Sequence, residues 1–239
     1  MNDLLALTIK AHGGAEHFNK FETFSARLMC DGILWAMTGH PGSVDDINVT
    51  THLKKEATSH WPFINKDWNT AFTPGHVAIL NTKDEVLEEL SNPRQSFGYT
   101  IETPWSRLQL AYFTGYAMWT YFNAPFNFAA PGYKVQELDP WEENGEVFRR
   151  LEVTFPKDVA THSPVQTFYI DKDGIIKRHD YNVDIAGGAA ATHYLFDHVD
   201  VQGIMVATKR KVYVRLADNT PQFPEPLLVS IDLSEIVLK

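Results

Sequence analysis

The segment from Pro104 to Phe122 limits what this chain can fold into more than any other. Trp105, Leu108, Tyr112, Tyr116 and Trp119 recur at helical spacing, Leu110, Phe113, Ala117 and Tyr121 fill an adjoining face, and Pro125 ends the pattern. Only a narrow polar strip is left, so a helix here has to be covered nearly all round. Lipid is not the expected cover. The longest apolar run, Leu110 to Phe122, is 13 residues broken by Thr114 and Thr120, well short of the ~20 that a membrane span requires. A large protein surface is needed instead.

The rest of the chain supplies strands. Leu4 to His12 suits a short helix stopped by Gly13-Gly14, since paired glycines adopt the left-handed cap conformation at little cost. From Phe24 to Thr38 and from Asn48 to Trp61 the sequence reads as extended, with a turn-rich stretch at Gly39–Asp45 between. Asn144-Gly145 predicts a hairpin between Tyr133–Pro140 and Glu146–Phe155, and Asp173-Gly174 another between Gln166–Ile170 and Ile175–Ile185, because both dipeptides tolerate positive φ. Thr192–Val201 and Ile204–Arg215 pair around Gln202-Gly203, and Leu227–Leu238 alternates to the end of the chain. That makes roughly nine to eleven strands. With no Pro- or Gly-rich linker and strands on both sides of the helix, residues 1–239 are expected to form a single domain.

Many antiparallel strands and one helix apolar on nearly every face predict a mainly β fold: a single, strongly curved antiparallel sheet in an unclosed half-barrel, with an N-terminal helix and the aromatic helix covering the concave face. If the helix fills the concavity, its rings are core. If it only roofs it, Trp35, Tyr112, Tyr116 and Trp119 line a pocket for an apolar or aromatic ligand. Buried phenols and indoles need hydrogen-bond partners, and their surplus favours a cavity with a few polar points.

The order of an N-terminal helix ending in His12-Gly-Gly14, long strands, an aromatic helix, the Phe168-Tyr-Ile-Asp-Lys-Asp-Gly174 hairpin, Lys177-Arg-His-Asp-Tyr181 and Asp200-Val-Gln-Gly-Ile-Met-Val-Ala-Thr-Lys-Arg210 resembles the lipoprotein-localisation-factor fold of the LolA and LppX-type carriers. That resemblance implies an unclosed β-barrel covered by helices, with a hydrophobic cavity of the kind that holds acyl chains. The acidic N-terminal segment Met1–Lys10 does not read as a secretory signal, and the only cysteine, Cys30, permits no internal disulfide. A cytoplasmic setting is the expectation.

Charge narrows the partners. Twenty-one Lys and Arg against 30 Asp and Glu leave −9, which repels phosphate backbones and anionic headgroups, so neither nucleic acid nor a membrane surface is expected. Ten histidines invite a metal reading that spacing does not support. His52 and His60 are about 26 Å apart on a continuous strand, and His193 and His198 point to opposite faces of a regular one unless a bulge intervenes. No metal or cofactor is expected.

Acid/base chemistry fits the pattern better. His179, Tyr181 and Val183 share the parity expected to face the cavity, whereas Arg178, Asp180 and Asn182 share the polar one, with Asp180 pairing outward to an Arg or Lys. On the next strand His193 and Asp197 share one parity and Tyr194, Phe196 and His198 the other, so one histidine should fall opposite His179. Lys209-Arg-Lys211 reads as a solvated outer face. Three classes stay open. The first is a binding protein for a hydrophobic or aromatic small molecule. The second is a cofactor-independent isomerase, cyclase or dehydratase using His179, His193 or His198 with Tyr181 as donor. The third is a structural module filled by its own helix, and oligomeric state is unassigned in all three.

Overall fold

A computed structural model of the chain describes residues 2–100 and 103–239. Its strands are β1 Thr23–Asp31, β2 Asp46–His52, β3 Thr58–Trp61, β4 Trp68–Thr73, β5 His76–Asn81, β6 Val86–Ser91, β7 Lys134–Glu143, β8 Glu146–Thr154, β9 Val165–Ile170, β10 Ile176–Val183, β11 Ala189–Val201, β12 Ile204–Val214 and β13 Leu227–Leu238. The helices are α1 Asp3–Ala11, α2 Ala15–Phe18, α3 Ile33–Met37 and α4 Arg107–Asn123. All thirteen strands form one antiparallel sheet in the order β6-β5-β4-β3-β2-β1-β13-β12-β11-β10-β9-β8-β7, which does not close.

The topology explains the helix. Strands adjacent in sequence are adjacent in the sheet except β6 and β7, and the first and last strands meet in its middle, where Leu28 pairs with Leu233 and Cys30 with Ile231. The two free edges, β6 and β7, are consecutive along the chain and are joined through α4. The connection therefore crosses from one edge to the other over the concave face, and the sheet curls around it. Buried residues occupy α4 continuously from Leu110 to Asn123. Ser106 and Gln109 form a reciprocal capping box at its start, satisfying two backbone N–H groups that would otherwise lack partners. Phe122 stacks on Phe24 of β1 at 4.1 Å and Tyr112 meets Phe72 of β4 edge-on at 5.5 Å.

The expected hairpins form. At Asn144-Gly145 both residues have positive φ (52° and 79°), and Gln202-Gly203 repeats the pattern (53° and 84°). The Asp173-Gly174 turn is longer than a two-residue loop: the Asp171 carboxylate accepts the N–H groups of Asp173 and Ile175 and organises the whole segment.

Several expectations are corrected. Thirteen strands exceed the predicted nine to eleven because β4, β5 and β6 lie between the extended stretch ending at Trp61 and the aromatic helix. The stretch Phe24–Thr38 is extended only to Asp31; Gly32 (φ 117°) turns the chain into α3 and places Trp35 on a helix. A side chain at Gly32 would press into the Leu228 backbone, so only glycine allows this close turn. Asn48–Trp61 is two strands around a turn, with Glu56 between them. Arg178 and Asp180 do face away from the cavity, and Asp180 does pair with an arginine, but both are buried. Trp141, Glu143 and the Asn219 loop cover them.

Gly115 marks the closest approach of α4 to the sheet. Elsewhere in a helix glycine to alanine stabilises by about 1 kcal/mol. Here the added Cβ would lie 2.7 Å from Phe72 Cβ and overlap its ring. Gly115→Ala is therefore expected to lose about 1–3 kcal/mol, read as a lower urea midpoint with an unchanged slope.

Candidate functional site

The concave interior is polar where α4 faces β9–β12. Tyr116 OH lies 3.3 Å from His162 Nδ1, Tyr121 OH lies 2.9 Å from His162 Nε2, and Tyr121 OH lies 3.0 Å from Tyr181 OH. A neutral imidazole has one N–H and one lone pair, so one phenol donates to His162 and the other accepts from it. Tyr116, His162, Tyr121 and Tyr181 thus form one continuous hydrogen-bonded chain. Burial pulls His162 down to about 3 and pushes the Tyr121 phenol up to about 12, with Tyr181 and Tyr116 also well above their ordinary value. Every group in the chain is neutral near pH 7.

The expected acid/base residues fall around Tyr121. His179 and His193 are direct cross-strand partners, their rings 5.8 Å apart, and the Tyr121 ring lies 4.6 Å from His193 and 6.1 Å from His179. Tyr181 stacks on His162 at 4.0 Å. The Gln166 amide donates to Thr161 Oγ1 (2.6 Å) and the Ser163 carbonyl (2.9 Å), which turns its oxygen toward His179. His179 Nε2–H then donates to that oxygen at 2.6 Å, fixing the tautomer. Burial, then the neighbouring His162 and Arg210, hold His179 well below the usual imidazole range. His193 is fully buried with neither ring nitrogen hydrogen-bonded, and burial lowers it likewise.

His198 lies apart from this group. The left-handed backbone of Asp197 (φ 50°) interrupts the alternation of β11, and His198 turns to the inner side, where its Nε2–H donates to the Ile176 carbonyl at 3.1 Å. It lines a small pocket with His179 at the other end of the cluster.

The four aromatic candidates do not share one cavity. Trp35 lines an apolar cavity between α4 and the sheet. Tyr112 lines a separate surface hollow beside Arg94, Tyr116 is fully buried, and the Trp119 indole N–H is held between the carbonyls of His52 (3.0 Å) and Lys55 (2.9 Å). The cavity lies along the other face of the helix, at Phe113, Ala117, Met118 and Tyr121. Its volume is about 260 Å³. Val212, Val229 and Ile231 form the sheet wall, His162, Tyr121 and Tyr181 form one polar end, and the half-buried Leu34, Ala190, Val214 and Leu228 border it.

Comparison with known proteins rests on this architecture, since no family model and no curated protein matches the chain. Among solved structures, a DUF1329 family protein from Desulfovibrio piger aligns at TM-score 0.54 and 12% identity over 99% of this chain and 92% of its own. A LolA superfamily protein from Nitrosomonas europaea aligns at TM-score 0.54 and 11% identity over 99% and 92%. The putative outer membrane lipoprotein-sorting protein domain from Vibrio parahaemolyticus aligns at 0.56 and 9% over 99% and 91%. The chain has a LolA-like fold. At these identities the likeness concerns the fold alone, and the interior of this LolA-like sheet is described by its own side chains.

Three residues of that interior escape sequence reading. His162 and its chain partners meet only when the segment between β8 and β9 folds under α4, and no periodicity marks it. Gln166 sits at the start of a strand with no motif around it. Arg210 had a signal: alternation places it opposite Lys209 and Lys211, and it is buried on the inner face rather than solvated. Among the described residues no group of three His, Cys, Asp or Glu side chains is arranged to hold a metal.

Four fully buried histidines, His60, His162, His179 and His193, all have depressed pKa values, His60 at about 3. Their neutral burial contributes stability that is present above the unfolded-state value near 6.5 and lost as pH falls toward the folded values. Each is expected to cost about 1.4 kcal/mol per pH unit below 6.5. Melting temperature should therefore fall steeply from pH 7 to pH 5.5, and His60→Leu should flatten that slope.

Proposed function

We propose that the protein binds a small hydrophobic or aromatic molecule in the apolar cavity beside α4. The observation that carries this is a cavity of about 260 Å³ whose walls are almost wholly apolar and whose one polar end is His162, Tyr121 and Tyr181. An apolar cavity of ~150 Å³ already accommodates benzene, and drug-sized pockets run from about 300 Å³ upward. The space therefore suits one or two rings or a short alkyl chain, and is too small for a lipid with several acyl chains. The LolA-like fold supports an apolar cargo, and the phenols and imidazole supply orienting hydrogen bonds. A cytoplasmic setting is part of the proposal, supported by a single buried cysteine, Cys30, that needs no oxidising compartment.

A second reading, a cofactor-independent isomerase, cyclase or dehydratase, is favoured by one observation: the Tyr116–His162–Tyr121–Tyr181 chain opens into the same cavity. A proton accepted from the ligand by His162 can be matched by one donated from Tyr181 through Tyr121, since all three line the cavity. In that reading His162 and Tyr181 touch the ligand, and His179, bound to Gln166, orients the cluster.

Nile red titration and native mass spectrometry of the purified protein test the proposal. The dye should bind, and Ala117→Phe, which fills the cavity from the helix side, should weaken it at least about 10-fold while the fold is retained. Tyr116→Ala, away from the cavity, should instead cost about 3–5 kcal/mol of stability. Equal dye binding by wild type and Ala117→Phe would overturn the assignment. Turnover of a retained molecule, lost in His162→Gln, would select the enzymatic reading.

A further inference from the structure

The chain buries two arginines, and it treats them differently. Arg178, on the outer face, is fully provided for. Its Nε and Nη2 donate to the two Asp180 carboxylate oxygens at 2.8 Å, its Nη1 to Glu143 at 3.1 Å and its Nη2 to the Asn219 carbonyl at 2.7 Å, while the Tyr169 ring lies 4.5 Å below the guanidinium. Arg210, on the inner face, is 5% exposed, and its Nε has no hydrogen-bond partner among the described residues. None of the ion pairs among the described residues includes it; the Tyr121 ring lies 5.2 Å from the guanidinium, and the Tyr121 and Tyr181 phenols, both neutral, are its electrostatic neighbours. Burial pulls the guanidinium down to about 10, which leaves it charged at neutral pH.

An unpaired buried cation is costly, and an Nε–H without an acceptor adds to that cost. The space beside Arg210 shows what is missing. It is a pocket of about 40 Å³ between His12 after α1, Phe18 of α2 and the C-terminal turn of α4, and Tyr121 borders both it and the apolar cavity. Among the described residues no aspartate or glutamate lines it. Its polar wall is Arg210, His12, His179, His198, Thr120 and Tyr121; the three histidines are hydrogen-bonded to carbonyl oxygens of Thr8, Gln166 and Ile176, and the two hydroxyls are bonded to Thr161 and His162. Burial keeps all three imidazoles on the neutral side of their ordinary value. The remaining wall is apolar, with Phe18, Phe122, Phe126 and Ile204. One fixed positive charge thus faces a compact space that holds no negative charge.

We propose that this pocket is a carboxylate site, in which the Arg210 guanidinium, through its unpaired Nε–H and the adjoining edge of the fork, receives the carboxylate of a small acid or of an acyl chain. A planar, two-oxygen acceptor matches the fork, and a pocket of this size admits such a group while excluding a sugar or a nucleotide. This site is separate from the apolar cavity and does not depend on the reading given to it.

Thermal shift and calorimetric titration of the full chain with acetate, dodecanoate and dodecanol at constant ionic strength test it. At least one carboxylate should raise the melting temperature by several degrees and bind wild type about 10-fold or more tighter than Arg210→Met. Response to acetate identifies a free small carboxylate, and response to dodecanoate but neither to acetate nor to dodecanol identifies an acyl-chain acid. Arg210→Met, which removes the unpaired charge, should be at least as stable as wild type without ligand. Arg210→Lys keeps the charge without the fork and should retain a weakened response, which preserves the test if Arg210→Met does not fold. No response to either carboxylate, equal response in wild type and Arg210→Met, or equal binding of dodecanoate and dodecanol without a response to acetate overturns the site. Nile red titration of wild type reads the apolar cavity separately: dye binding without a carboxylate response removes only the Arg210 site, and the reverse removes only the apolar-cavity reading.

Discussion

The path of α4 between the two free edges of the sheet is the constraint on which the rest depends. Because β6 and β7 are consecutive strands at opposite ends of a thirteen-stranded sheet, the segment joining them has to travel across the concavity. A segment so placed is enclosed on nearly every side. It must then be a helix, which satisfies its own backbone groups, and it must be apolar around its circumference. The helix fills the concavity that the open sheet leaves, so the curl of the sheet and the burial of the helix support each other. Gly115 against Phe72 sets how near the two approach.

That arrangement leaves room beside the helix rather than under it. The stripe carrying Tyr112 and Trp119 is committed to packing on β4 and the β2–β3 turn, and it holds the helix in place. The stripe carrying Phe113, Ala117 and Met118 meets small and β-branched residues of β11 to β13 and does not fill the space. Tyr121 stands at the boundary. It borders both the apolar cavity and the pocket of Arg210, and its hydroxyl ties His162 to Tyr181. Neutral burial of so many imidazoles and phenols is stable only because most are bonded to one another, to Gln166 or to backbone carbonyls. His193 is the imidazole with neither ring nitrogen bonded, and beside this neutral group the charged Arg210 has an Nε–H without a partner among the described residues.

Much of the architecture was legible along the chain because its signals are local. Asn144-Gly145 and Gln202-Gly203 specify turns through backbone conformations few other residues adopt, and the alternation of Leu227–Leu238 matches β13 to the residue. The missed strands had weaker local signals. β6 reads Val-Leu-Glu-Glu-Leu-Ser, a sequence equally suited to a helix turn, and it lies at a sheet edge where one side lacks a partner strand to select the extended form. Trp35 was misplaced because a single glycine, Gly32, redirects an apolar run from strand to helix, which periodicity averages over.

By itself the sequence determined the class of the fold, its turns, the helix and the side of β10 on which His179 and Tyr181 lie, all of which follow from the two-residue and 3.6-residue periods of the backbone. Tertiary structure decided which buried groups meet. Tyr116, His162, Tyr121 and Tyr181 come from three separate segments, and His198 joins the inner face only through the left-handed Asp197. The different circumstances of Arg178 and Arg210 were likewise invisible in one dimension. Periodicity reports which way a side chain points, but whether a buried charge finds a partner depends on what the opposing elements bring to within hydrogen-bond reach.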